Sequence, residues 1–204
     1  MRLAVVIAAV VSLIATARAA SPGVRDPDWP CQQIKVPRLS LATIWSGPLP
    51  DPQRDDWRQD PQVAELVHVI AQRRVPLGQA QERIRAFAAQ AGEGKQQKLL
   101  GALDGLFSAL DAERSSVIAG LDRFGARQKE LAATLRENND ELRVMQADPE
   151  SKPAEVTDLV QRITWEAEVF QDRRQALSYA CDVPGKIEQR LFALARAIQD
   201  VLNE

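Results

Sequence analysis

The residue types that carry chemistry are thinly spread in this sequence. His68 is the single histidine. On an early helical pattern it reads as a surface or satisfied residue rather than a ligand, and one imidazole gives no independent support for a zinc set or a Ser–His relay. There is no HxxxH, CxxC, CxxCH or GxSxG. A carboxylate-bridged di-iron bundle needs Glu-x-x-His twice, which one histidine cannot furnish. Ala89 to Gln96 (AQAGEGKQ) loosely echoes a phosphate-binding loop at Gly94-Lys95. Gln96 stands where Ser or Thr would hold magnesium, and the segment before it is helical in pattern, so the stretch reads as a helix–helix turn. The expectation is therefore a non-enzymatic protein with no cofactor and no metal site.

Cys31 and Cys181 are the only cysteines. If the chain is exported, two cysteines without a CxxC point to one structural disulfide between them. The alternatives are two buried thiols or a bridge between chains.

Four polar residues interrupt an otherwise apolar helical seam: Arg114, Gln128, Asn138 and Arg174. Such positions fix register at some cost in stability. Arg114 is expected to lie near Ile187 and Glu188 and to pair with Glu188; an internal anion site is the functional alternative. Trp165 and Val169 lie off the seam, one turn apart, and form a candidate partner patch. The competing reading is that Trp165 flanks and covers the seam. Tyr179, beside Cys181, is expected to pack against the N-terminal arm.

The element that positions these residues runs from Lys95 to Ala147. Leu100, Leu103, Phe107, Leu110, Arg114, Val117, Leu121, Phe124, Gln128, Leu131, Leu135, Asn138, Leu142 and Met145 follow one another by steps of three and four. That seven-residue repeat, with no Pro, predicts one long helix with a coiled-coil stripe, roughly 80 Å from end to end. A stripe of that kind needs a partner. Asp148-Pro149 to Lys152-Pro153 reads as a tight polar turn. Val156, Leu159, Val160, Ile163, Ala167, Phe170, Arg174, Leu177 and Cys181 then continue in helical spacing, and Ile187, Leu191, Leu194, Ile198 and Val201 follow Pro184.

Folding back near residue 150 pairs positions whose numbers sum to about 301, and both returning segments fit one register. The chain is thus expected to be all-α: a long antiparallel helical hairpin, 95–147 against 153–203, kinked at Pro184. A fold-back at Pro184 into a compact bundle is the rival. Near the base a second stripe (Leu99, Ala102, Leu106 and Ala109, with Phe192, Ala195 and Leu202) calls for more neighbours. Two short helices, 61–74 and 78–90, should pack there, with Val63, Leu66, Val67 and Ile70, then Leu77, Ala80, Ile84, Phe87 and Ala88, facing inward. Asp60-Pro61 supplies the first helix start. Towards the turn the stripe narrows, so the tip should project as a two-stranded coiled coil.

Residues 20–60 form an extended arm. Seven of the twelve prolines and three of the four tryptophans (Trp29, Trp45, Trp57) lie in it, which rules out helix and regular sheet. Its apolar residues are too many for a disordered leader. The alternations Ile34-x-Val36 and Leu39-x-Leu41 suggest a strap with one face on the helices, and Pro48 to Arg58 a mobile loop.

Residues 1–19 read as a cleavable signal peptide: Arg2, the apolar run Leu3–Thr16, then Ala17-Arg18-Ala19. An uncleaved anchor is the alternative, although the run is shorter than the ~20 residues of a spanning helix. The mature chain, 61–204 plus its arm, is expected to be exported, most simply to a bacterial periplasm, and not to span the membrane. With 26 basic and 28 acidic residues the formal charge is −2, which gives no electrostatic case for nucleic acid. The functional expectation is an interaction, scaffold or assembly-factor protein that engages another envelope protein, with a homodimer also compatible. A holdase-type chaperone or stress-response protein is the alternative, and a small-molecule sensor or redox accessory a third class.

Overall fold

The computed structural model describes residues 26–51 and 55–204. The signal segment 1–19 and the start of the arm lie outside these residues. Five α-helices follow the arm: α1 (Pro61–Ala71), α2 (Leu77–Gln90), α3 (Lys95–Ala147), α4 (Pro153–Cys181) and α5 (Val183–Leu202). A 3-10 turn, Gly92–Gly94, links α2 to α3, and there is no strand among the described residues. None of the described helices is long and apolar enough to cross a membrane.

α3 runs unbroken for 53 residues, and α4 and α5 both pack along it. The register is visible in its polar contacts. Arg114 Nε donates to Glu188 at 2.5 Å, Gln128 Nε2 to the Phe170 carbonyl at 3.3 Å, and Asn138 Nδ2 to Glu166 at 2.8 Å. The return strand of the hairpin is interrupted at Asp182, where Pro184 has no N–H to continue the ladder. It bends there without folding back, so the hairpin is the architecture and the compact alternative is excluded.

The base is a four-helix bundle in which α1 packs on α3 and α2, and α5 on α2 and α3. α1 runs in the same direction as α3, as Lys98–Gln62 (3.2 Å) and Arg73–Glu113 (2.6 Å) show at its two ends. Ile70, Ile84, Leu99, Leu103, Leu106, Ile187, Leu194 and Ile198 are all fully buried in its core, each contributing about 1.5–3 kcal/mol of transfer free energy. The wide apolar face of α3 ends with Leu110. Beyond it only Arg114, Ile118, Leu121 and Gly125 are buried, one per turn, and after Gly125 nothing on α3 is. On α4 only Leu159 and Cys181 are buried. Past the strap the hairpin is a two-helix projection, about 27 Å of α3 at 1.5 Å per residue.

Several expectations about the base need correction. α1 ends at Ala71 rather than 74. Leu77 and Phe192, expected inside, are 39% and 49% exposed. Leu77 opens α2, where the helix has only just met its neighbours, and Phe192 lines an open cleft beside Ile44 and Trp45 of the strap, which covers only part of it. Asp60 does cap α1, its carboxylate accepting from the Gln62 and Val63 N–H groups, with Pro61 next.

Candidate functional site

Two features stand outside the bundle core: the strap that crosses the hairpin's middle, and the bare tip beyond it. The strap descends α3 from about residue 129 to residue 101. Asp28 pairs with Lys129 (2.9 Å), Lys35 bridges Asp26 (2.5 Å) and Asp122 (2.8 Å), Val36 offers its carbonyl to Arg114 (2.7 Å), and the Leu39 N–H donates to Asp111 (3.3 Å). Cys31 and Cys181 are joined by a disulfide, Cα to Cα 5.6 Å, and Gln33 donates to the Cys181 carbonyl. Lower down, a 3-10 turn at Leu41–Thr43 sets Trp45, only 6% exposed, into the bundle core. Trp57 packs on the same core from its other side.

The strap's facing differs from the expected one. Ile34 is 88% and Val36 46% exposed, while Gln33 and Lys35 turn towards the helices. Lys35, Leu39 and Leu41 are half-buried against the helices, while Pro37 between them is exposed. Extended backbone alternates strictly, so Leu39 and Leu41 can be inside only if Ile34 and Val36 are outside. The salt link to Asp122 and the tether at Cys31 select that parity. The hydrogen bonds that the Lys35 ammonium donates to Asp122 and Asp26 raise its pKa above the ordinary lysine value, and Asp26's carboxyl is held below its ordinary value, chiefly by Lys35.

The Pro48–Arg58 segment also differs: Asp55, only 4% exposed, and Trp57 pack at the base, with Arg58 over the Trp57 ring at 4.3 Å. Tyr179 is 69% exposed rather than packed on the strap; one residue short of the inward-facing Ala180–Cys181 pair, it points along the solvent side of α4.

Glycines in α3 mark where the strap touches it. A Cβ on Gly125 would overlap the Asp28 carbonyl oxygen outright. One on Gly101 would sit 2.9 Å from the Asp55 carbonyl oxygen, and one on Gly105 2.8 Å from the Trp57 ring. Each costs about 1 kcal/mol of helix propensity relative to Ala, and each admits backbone or indole that no larger residue could.

Arg114 is buried at 3% side-chain exposure and anchors the strap: Nε meets Glu188 and Nη2 the Val36 carbonyl, while Nη1 is buried without a hydrogen-bond partner. A cleft of about 580 Å³ lies beside it, between Trp29 and the break at Asp182–Lys186. With Glu188 on its guanidinium, Arg114 acts here as a clamp for the strap. Gln128 and Asn138 sit half-buried between the helices as described above. Arg174, expected in the seam, is exposed. Its long side chain leaves a two-helix seam for water at little cost, because no third helix closes over it.

Arg190 is a structural residue that the pattern of α5 does not announce. Its guanidinium takes the Ile70 carbonyl (3.1 Å from Nε, 2.6 Å from Nη2) and the Val75 carbonyl (2.9 Å from Nη1), closing the end of α1. Burial works against its charge and lowers its pKa from the usual value. A basic residue inside an apolar helix stripe was the available signal.

His68 is exposed. At the base, burial pushes Asp104's carboxyl up, opposed by Arg58 and reinforced by Asp56 and Asp55. Among the described residues no group of His, Cys, Asp and Glu has the arrangement to hold a metal ion.

At the tip, Trp165 is 64% exposed on α4, Val169 is half-buried beside it, and Val144 on α3 is 70% exposed. The indole therefore points away from the seam. The chain matches no family model, no curated protein and no solved structure.

Proposed function

We propose that this protein is an exported, non-enzymatic interaction module of the bacterial envelope, an adaptor or assembly factor that presents the hairpin tip to another envelope protein. The observation that carries the reading is the tip itself. About half of α3 and most of α4 extend past the bundle without enlarging its core, and the extension displays an exposed tryptophan. A projecting coiled coil stabilises the bundle little, so its length serves reach. The disulfide and the signal-like leader fit an oxidising compartment, and the periplasm is the simplest one.

The test is site-specific photo-crosslinking in cells, with the crosslinker at Gln161 on the Trp165 face and, as control, at Arg85 on α2. A discrete adduct from Gln161 that disappears with Trp165→Ala supports the reading. Adducts of equal pattern from both positions, or none, remove it. The chaperone reading predicts instead that the protein suppresses aggregation of a reduced model client at equimolar ratio, independently of Trp165.

A further inference from the structure

Resting on that reading of the tip, we propose that the Trp165 face of α4 takes a cationic, apolar segment of a partner protein. Charge is distributed very unevenly along this chain. Residues 131–172 hold ten carboxylates and only four basic side chains (Arg136, Arg143, Lys152, Arg162). That is an excess of six negative charges at the tip against a whole-chain value of −2, so the rest of the chain carries a positive sum, to which Arg173 and Arg174 just past the tip contribute. The tip's own ion pairs, Arg143–Asp140 and Lys152–Glu155, involve none of the carboxylates spaced around Trp165.

On a helix, residues three, four and seven apart share a stripe. Around Trp165 these are Asp158, Gln161, Arg162, Glu168, Val169 and Asp172. Asp158, Glu168 and Asp172 are exposed, and among the described residues none of them makes an ion pair. The face thus offers an indole, a half-buried valine and three unneutralised carboxylates against one arginine.

The chain's other exposed-edge tryptophans show what such a ring accepts. Lys35 lies over Trp29 at 5.8 Å and Arg58 over Trp57 at 4.3 Å. Among the described residues no cation lies over Trp165. An ammonium or guanidinium placed on that indole would gain the ring quadrupole and the neighbouring carboxylates together. The partner's apolar side chains would cover Val169 and the indole edge. An anionic membrane is disfavoured by the sign of the tip, and a second copy would bring six like charges against six.

The experiment uses the full mature chain and two labelled amphipathic peptides, one of Lys and Leu, one with Glu for every Lys, followed by fluorescence anisotropy. The Lys–Leu peptide is expected to bind, several-fold more weakly when salt is raised to about 0.2 M. Neutralising the stripe (Asp158→Asn, Glu168→Gln, Asp172→Asn together) should weaken it roughly ten-fold, and Trp165→Ala roughly thirty-fold. All four positions are exposed, and an unchanged melting curve verifies that the fold is retained.

Binding of the Glu–Leu peptide as tight as that of the Lys–Leu peptide overturns the proposal. So does Lys–Leu binding that ignores Trp165→Ala, or Trp165-dependent dimerisation in sedimentation velocity, which would make a second copy the occupant. An in-cell adduct that needs Trp165 but is indifferent to the triple neutralisation removes the cationic partner while leaving the interaction module standing. Absence of any adduct removes the interaction module itself.

Discussion

Replacing Gly125 by alanine should change sign with the state of the disulfide. In an exposed helix interior Gly→Ala stabilises by about 1 kcal/mol. Here the new Cβ meets the Asp28 carbonyl oxygen, with the Pro30 ring 3.2 Å away. A backbone obstacle cannot rotate aside, so the strap must lift, and overpacking of this kind costs about 1–3 kcal/mol. Lifting also strains the Asp28–Lys129 and Lys35–Asp122 links, which are partly exposed and so oppose it only weakly. Because Cys31 is bonded to Cys181 three residues on, the strap cannot simply leave. The net effect in the oxidised chain is a loss of about 1–2 kcal/mol. With Cys31→Ser and Cys181→Ser, residues 26–31 are free to move off, and the same substitution should stabilise by about 0.5–1 kcal/mol, a coupling of about 2 kcal/mol between sites in contact. Urea denaturation of the four chains measures all of this. Stabilisation by Gly125→Ala with the disulfide intact, or equal effects in both backgrounds, would refute the strap's path over Gly125.

Other consequences are simpler to read out. Arg190→Met should cost about 2–3 kcal/mol in thermal or chemical denaturation, because the Ile70 and Val75 carbonyls lose their donors at a buried helix end; Arg190→Lys, which cannot span both carbonyls, should recover only part. Arg114→Met should cost less, about 1–2 kcal/mol, since Glu188 is 41% exposed and can return to water, and amide exchange should rise in residues 33–38 before it rises in the bundle. Asp26, whose pKa is lowered in the folded chain, contributes stability that is present above the ordinary carboxylate range and lost as pH falls through its lowered value. Lys35, whose pKa is raised, holds its contribution below the ordinary lysine range and loses it as pH rises through its raised value. NMR of the Lys35 and Leu39 amides should accordingly show the strap's upper end loosening at both extremes, on the acid side through Asp26; a strap unmoved when the carboxylates are fully protonated would contradict the Lys35 bridge.

The long elements were legible because their signals are redundant. Fourteen seam positions agree on α3 and its register, so a single misplaced partner on α4, such as Arg174, does no harm. The strap was legible only in part: its prolines exclude helix and its tryptophans demand burial, but parity in an extended segment hangs on one residue. Ile34 and Val36 look like an inward pair until Lys35 is given Asp122, which is 87 residues away. Arg190 was hidden for a related reason, since its partners are backbone carbonyls that carry no side-chain signature. The glycines of α3 were visible as costly choices in a helix, and Gly101, Gly105 and Gly125 do trace the strap. The tip's acidity was obscured by the near-neutral total, which averages a negative tip with a positive remainder. Trp165 stood out in the sequence because it falls off the seam.

The bond between Cys31 and Cys181 closes a ring that contains α1, α2, α3 and α4 and leaves only α5 outside. Its two ends are made 150 residues apart, so at about 5–20 residues per second Cys31 waits many seconds for its partner. Through that interval it is a lone thiol on a polar segment, open to pairing with another chain. Within one chain no wrong pairing exists, because there is no third cysteine. The assembled hairpin favours closure, since α4 against α3 holds Cys181 beside Cys31. A chain whose turn near residue 150 has failed loses that proximity and should oxidise more slowly, which timed labelling with a thiol-reactive reagent would measure.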